Sequence, residues 1–193
     1  MSALDHRRSR SGAANGGRLC RATIACVAIA GAGGAIAARA LLVRALLVKL
    51  RHDVRALNAG DFQPVLSNYA GDAVLQFNEG EHRWAGEHRG TAAIGRFLQN
   101  FVGAGLQGDI SELLIAGAPW RLTLAARFDD RAHGPAGQEL YRNRTILLAR
   151  TRWGRIVRQE DFYEDTQRIS TLESRLTELG IEPAPVSHGP VDA

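Results

Sequence analysis

SELLIAGAPWRLTLAARFDDRAHGPAGQELYRNRTILLARTRWGRIVRQEDFYED, residues 111–165, is a succession of apolar-alternating runs broken by turn residues. Ser111 to Ala116, Trp120 to Phe128, Glu139 to Arg152 and Arg155 to Tyr163 read as four strands. Gly117-Ala118-Pro119, His133-Gly134-Pro135 and Trp153-Gly154 turn the chain between them. A strand puts alternate side chains on opposite faces. Trp120, Leu122, Leu124, Ala126 and Phe128 therefore share one face, and Arg121, Thr123, Ala125, Arg127 and Asp129 the other. In the last strand Val157, Gln159, Asp161 and Tyr163 are likewise separated from Arg158, Glu160 and Phe162.

On either side of this meander the period lengthens to that of helices. Thr166 to Leu179 closes the chain as a helix. Upstream, Thr91 to Val102 is a helix preceded by a polar Gly/Glu/His loop and a strand from Ala73 to Phe77. Leu41, Leu42, Leu46, Leu47, Leu50, Val54 and Leu57 recur at helical spacing between basic residues, which describes an amphipathic helix. Asn58-Ala59-Gly60 ends it, and Asp61 is placed to cap a short helix through Tyr69. Helices first and long antiparallel strands after them predict an α+β fold.

The 193 residues, 45% hydrophobic, can build one medium core plus a small extra element. Two cysteines, Cys20 and Cys26, exclude a disulfide framework and a four-ligand zinc site. The net charge of +4 divides unevenly: residues 1–60 carry ten basic and two acidic side chains, whereas residues 61–193 carry fourteen and eighteen. Every aromatic residue lies after position 60. An acidic domain lacks the clustered cations that track phosphates, so no nucleic-acid partner is expected.

The arm reads as a disordered basic tail followed by an uncharged run, residues 22–38, between Arg18 and Arg21 on one side and Arg39 and Arg44 on the other. That layout suits a signal peptide or membrane anchor, and it also suits an Ala-rich surface helix. The expected organisation is residues 1–38 as the arm, 39–180 as the domain and 181–193 as a disordered tail. The expected location is cytoplasmic, with residues 22–38 as the segment that would meet a membrane.

LNAGDFQPVLSNYAGDAVLQF (residues 57–77), the Trp153-Gly154-Arg155-Ile156-Val157 turn and EDFYEDTQR (residues 160–168) resemble the SnoaL-like branch of the nuclear-transport-factor-2-like superfamily over about residues 45–180. The resemblance implies a cone-shaped α+β fold. In it a curved, mostly antiparallel sheet wraps around N-terminal helices and encloses an apolar pocket, and the outer face of the sheet commonly forms a homodimer. Its members include ketosteroid isomerase, polyketide cyclases, limonene epoxide hydrolase and non-catalytic binding modules.

Arg127-x-Asp129 with Asp161 one hairpin later is similar to the epoxide-hydrolase arrangement. The resemblance implies Asp129 as acid, Asp161 as base and Arg127 as the orienting cation, since opening a neutral epoxide needs a proton donor and an activated water together. Asn78 matches that enzyme's water-holding amide, and Gln76 stands where it has a tyrosine. Gln76, Asn78 and Tyr163 are thus the expected ligand contacts. The alternative for the charged group is a solvent-facing ion pair of Arg127 with Asp129 or Asp130 at the sheet edge, and the adjacent acids leave open which of the two faces inward. Glu79, Glu81, His82, Glu87 and His88 match no ligand spacing and read as a solvated loop, so neither metal nor cofactor is expected. The function expected is binding of a small apolar molecule, with acid–base hydrolase, isomerase or cyclase chemistry, or else a non-catalytic module tethered near a membrane.

Overall fold

The structure is a computed structural model that describes residues 16–185, with side chains from residue 37 onward. The basic tail expected at the N-terminus and most of the expected C-terminal tail lie outside the described residues. Two compact units are present, Met1–Ala45 and Leu46–Ala193. Helix α1, Gly16–Asn58, runs unbroken through the boundary expected at 38–39. Among the described residues no helix is long and apolar enough to cross a membrane.

In the second unit α1 ends at Asn58 and is followed by α2 (Gln63–Leu66), β1 (Tyr69–Gln76), β2 (Glu87–Arg89), α3 (Gly90–Gly103), β3 (Leu106–Ala118), β4 (Arg121–His133), β5 (Glu139–Arg152), β6 (Arg155–Tyr163) and α4 (Gln167–Glu178). The fold is α+β, with one curved, unclosed mixed sheet in the order β2-β1-β6-β5-β4-β3. Every neighbouring pair is antiparallel except β1 with β6. The two-residue β5–β6 turn has Trp153 at φ 50° and Gly154 at φ 78°, the positive pair that a tight hairpin needs to match strand twist.

Three local expectations are corrected. The helix after Asp61 stops at Leu66. Asp61 accepts a hydrogen bond from the Gln63 N–H at 3.0 Å, but Tyr69 already begins β1. β3 begins at Leu106, because a bulge between Ile110 and Glu112 shifts the inward phase from Gly108 and Ile110 to Leu113 and Ile115 and hides the strand's first half from an alternation count. The polar loop after β1 contains β2, paired through Val74 with Arg89, which has no apolar residue to announce it.

The core packs Tyr69, Leu75 and Phe77 of β1 and its exit against Ile94, Phe97 and Leu98 of α3 and Leu172 and Leu176 of α4. Arg83 ties the β1–β2 connection to α4. Its guanidinium is 2% exposed and makes two bonds to the Glu173 carboxylate, Nε at 2.9 Å and Nη2 at 3.0 Å, while Nη2 also donates to the Ile181 carbonyl. The Ala184 N–H donates to Asn100 Oδ1 at 2.6 Å, so the chain stays attached to the domain beyond residue 180, where a free tail was expected. A guanidinium buried this deeply depends on its partner. Glu173→Ala should lower the unfolding free energy by about 3 kcal/mol in urea denaturation; a change below about 0.5 kcal/mol would mean that the pair is a surface bridge in effect.

Candidate functional site

The alternation of β4 continues beyond Phe128 to Ala132. Leu122, Ala126, Phe128, Asp130 and Ala132 are buried in sequence, while Asp129 points away. The apolar residues fix the phase, and Asp130 is carried inward with them. Opposite it on β3 stands Gly108, where a Cβ would lie only 2.8 Å from Asp130 Oδ1. The absence of a side chain there makes room for the carboxyl. The Thr145 hydroxyl on β5 donates to Asp130 Oδ2, and Asn58 at the end of α1 holds the Gly108 backbone through bonds at 2.9 and 3.0 Å.

Asp161 reaches the same space from β6. Its Oδ1 accepts from Gln159 Nε2 at 2.8 Å, and Gln159 Oε1 accepts from the Tyr69 hydroxyl at 2.6 Å, a chain that fixes the carboxyl's orientation. Both acids line a cavity of about 120 Å³, comparable to cavities that admit a single benzene ring. Its walls are apolar side chains such as Val54, Leu57, Leu98, Phe128 and Leu147, and Tyr163 also lines it.

A third carboxylate, Asp53, enters from α1 inside the Leu46, Leu50, Leu57 stripe. Lys49 Nζ donates to Asp53 Oδ2 and Asn68 Oδ1, both at 2.6 Å, and Asn68 Nδ2 donates to Asp53 Oδ2 at 2.8 Å. The three acids differ electrostatically. Burial pushes Asp161 up to about 7, helped by the charge of Asp130 and opposed by the Gln159 bond. Burial pushes Asp130 up to about 6 against the Thr145 bond. Asp53 is also desolvated, but bonds from Lys49, Asn68 and His52 outweigh this and hold it below its ordinary value. Burial thus raises Asp130 and Asp161, whereas hydrogen bonds and the Lys49 charge lower Asp53.

The expected convergence of Arg127, Asp129 and Asp161 is not formed. Arg127 and Asp129 make a 3.8 Å ion pair on the opposite face of the sheet, with 41% and 53% of their side chains exposed. Strand phase is the reason, since odd-numbered residues of β4 face solvent there. Of the expected residues, Asp161 and Tyr163 line the cavity. Gln76 and Asn78 do not: Gln76 bonds to the Phe77 carbonyl, and Asn78 Nδ2 is buried without a hydrogen-bond partner among the described residues. The sequence reading missed Asp53, Asn68, Tyr69, Thr145 and Gln159 as site residues, and of the two adjacent acids it left open, Asp130 is the one that faces inward. Asp130 and Asp53 carried a signal, each being an acid at an apolar phase position.

Asp130 and Asp161 bind protons more tightly folded than unfolded, where the ordinary value is 3.8. Their contribution is thus fully present below that value and is lost as pH rises through about 6 and 7. Asp53 and Glu173, held low, act in the opposite sense at acid pH. Thermal melts should show Tm falling between pH ~5 and ~8, and Asp161→Asn should flatten the fall and exceed the wild type at the alkaline end. A Tm that rises over this range would refute the burial of charge at this site.

The family description "SnoaL-like domain" matches residues 50–159. No curated protein matches the chain. Among solved structures, TerC co-crystallised with polyporic acid superposes with a TM-score of 0.54 at 20% identity, over 68% of this chain and 97% of that one. A nuclear-transport-factor-2-like protein of unknown function from Burkholderia pseudomallei gives 0.54 at 20%, over 66% and 96%. A Mycobacterium tuberculosis protein of unknown function gives 0.52 at 11%, over 75% and 89%. At these identities the superpositions speak for the fold alone, whereas the family match covers more than half of the chain. The chain belongs to the SnoaL-like domain family of the nuclear-transport-factor-2-like fold.

Proposed function

We propose that this domain binds a small, largely apolar molecule in its cavity and that Asp130 and Asp161 exchange protons with it. The observation that carries the reading is two buried carboxyls with raised affinities for protons facing one apolar cavity. Such burial is unfavourable for a structural role, because an apolar pair of similar size would be more stable. Between their two midpoints one carboxyl is protonated while the other is ionised. The neutral acid can then donate to a carbonyl or ether oxygen as the carboxylate takes a proton from carbon or water, the division of labour of an isomerase, cyclase or hydrolase. TerC, which was co-crystallised with polyporic acid, shares the fold, and this supports a small-molecule ligand.

The reading is tested by ligand-observed NMR with a set of small cyclic ketones and phenols. Binders are expected to shift the methyl resonances of Val54, Leu98 and Leu147. Asp161→Asn should preserve binding and, with a fragment carrying an exchangeable α-proton, slow its exchange by ~10²–10⁴-fold. Absence of any binder at these methyls would favour the non-catalytic module.

A homodimer through the outer sheet face belongs to the same proposal. Register places Leu114 beside Ala125 and Leu148, and Ile146 beside Phe162. Leu114, Ile146 and Phe162 are 61%, 49% and 54% exposed, an apolar patch edged by Arg127, Arg144 and Arg150. Exposed apolar surface of this kind marks an interface. Ile146→Asp with Phe162→Asp should weaken dimerisation by ~10²-fold or more in sedimentation velocity, because two apolar contacts are replaced by carboxylates that must be desolvated. A wild type that sediments as a monomer would exclude the dimer. The uncharged run at residues 22–38 supports the arm as a membrane tether.

A further inference from the structure

The β3–β4 and β5–β6 turns lie side by side, joined where the Trp153 N–H donates to the Trp120 carbonyl at 2.9 Å. Both indoles stand in solvent, 56% exposed for Trp120 and 78% for Trp153, and Trp153 is held at φ 50°, a left-handed conformation that a bulky residue adopts at a cost. Asparagine or glycine would satisfy the same turn without strain. The surrounding strands, residues 118–126 and 149–159, contain Arg121, Arg150, Arg152, Arg155 and Arg158 and no acid. Register sets Arg150 opposite Arg158 and Arg152 opposite Arg155, and like charges in directly opposed positions are destabilising. Arg158 is neutralised by Glu160, and Arg155 donates to the Ser67 carbonyl. Arg121, Arg150 and Arg152 make no side-chain hydrogen bond or ion pair among the described residues.

Strain, like-charge pairing and two solvated indoles are three unfavourable choices at one place, and the fold needs none of them. Their chemistry is that of a polar–apolar boundary. Indoles settle at the level of lipid headgroups, and guanidinium groups bind phosphate oxygens through paired donors. The feature is a pair of turn tips with no groove to follow a strand of nucleotides. It projects from a part of the chain, residues 61–193, whose acids outnumber its bases. A long polyanion would meet that acidic remainder, while a planar surface touched by the tip alone would not. We propose that this tip docks the protein on an anionic membrane surface, with Trp120 and Trp153 entering the headgroup region and Arg121, Arg150 and Arg152 pairing with lipid phosphates. None of these residues lines the cavity.

The test uses the full chain and the quenching of tryptophan emission by brominated lipid. The remaining indole, Trp84, is 1% exposed and reports nothing at the surface. Vesicles containing phosphatidylglycerol should shift the emission to the blue and quench it, and phosphatidylcholine alone should do neither. Arg121→Gln with Arg152→Gln should require about thirtyfold more lipid for the same quenching, as expected for two cations at an anionic surface. Trp153→Asn should keep or raise the Tm, showing an intact fold, and lose most of the quenching. The proposal is overturned by unquenched emission with anionic vesicles, by quenching that the arginine variants leave unchanged, or by a blue shift that a single-stranded RNA oligonucleotide produces and vesicles do not.

Discussion

The register of β4 against β5 is the constraint on which the site depends. Phe128 lies opposite Thr145 and Asp130 opposite Asn143, and the alternation that buries Leu122, Ala126, Phe128 and Ala132 obliges Asp130 to be buried with them. A slip of one residue would turn Asp129 and Arg127 inward and expose the aromatic ring. The hydrophobic term thus decides where the carboxyl goes, and the rest of the local structure makes the placement tolerable. Gly108 leaves space on β3, Thr145 supplies a donor from β5, and Asn58 pins the glycine's backbone from the end of α1.

Two carboxyls buried against one cavity disfavour the fold at neutral pH, and among the described residues no cation is paired with either. Lys49 is spent on Asp53 and Asn68, while Arg83 is spent on Glu173 and the Ile181 carbonyl. Both carboxyls are therefore raised above the ordinary aspartate value. The Tyr69–Gln159–Asp161 chain adds orientation, because a carboxyl in a roomy apolar cavity would otherwise rotate freely. Burying two carboxyls costs stability, and the proposed proton exchange is what that cost would serve.

The α+β class, the strand meander from β4 to β6, the tight Trp153-Gly154 turn and the helices were legible, because each rests on periodicity or turn chemistry local to the chain. β2 and the first half of β3 were not. β2 is three polar residues whose pairing partner lies across a loop, and the Ser111 bulge reverses the phase that an alternation count relies on. At the site, Asp161 came from the resemblance to the epoxide-hydrolase arrangement, and the β6 alternation gave the face it shares with Gln159 and Tyr163. Asp130 was available from the same count in β4, yet an Arg-x-Asp pattern drew attention to Asp129 on the exposed face. Thr145, Gln159 and Tyr69 could not be singled out, because their role arises from register between strands distant in sequence.

The decisive measurement is a carbon-13 NMR titration of the side-chain carboxyls of Asp130 and Asp161 in the folded protein. Midpoints near 6 and 7 are predicted, with each resonance sensing the other's titration. Two independent midpoints near ~4, the value of a solvated aspartate, would show that water reaches both groups and that the cavity is no site for proton exchange.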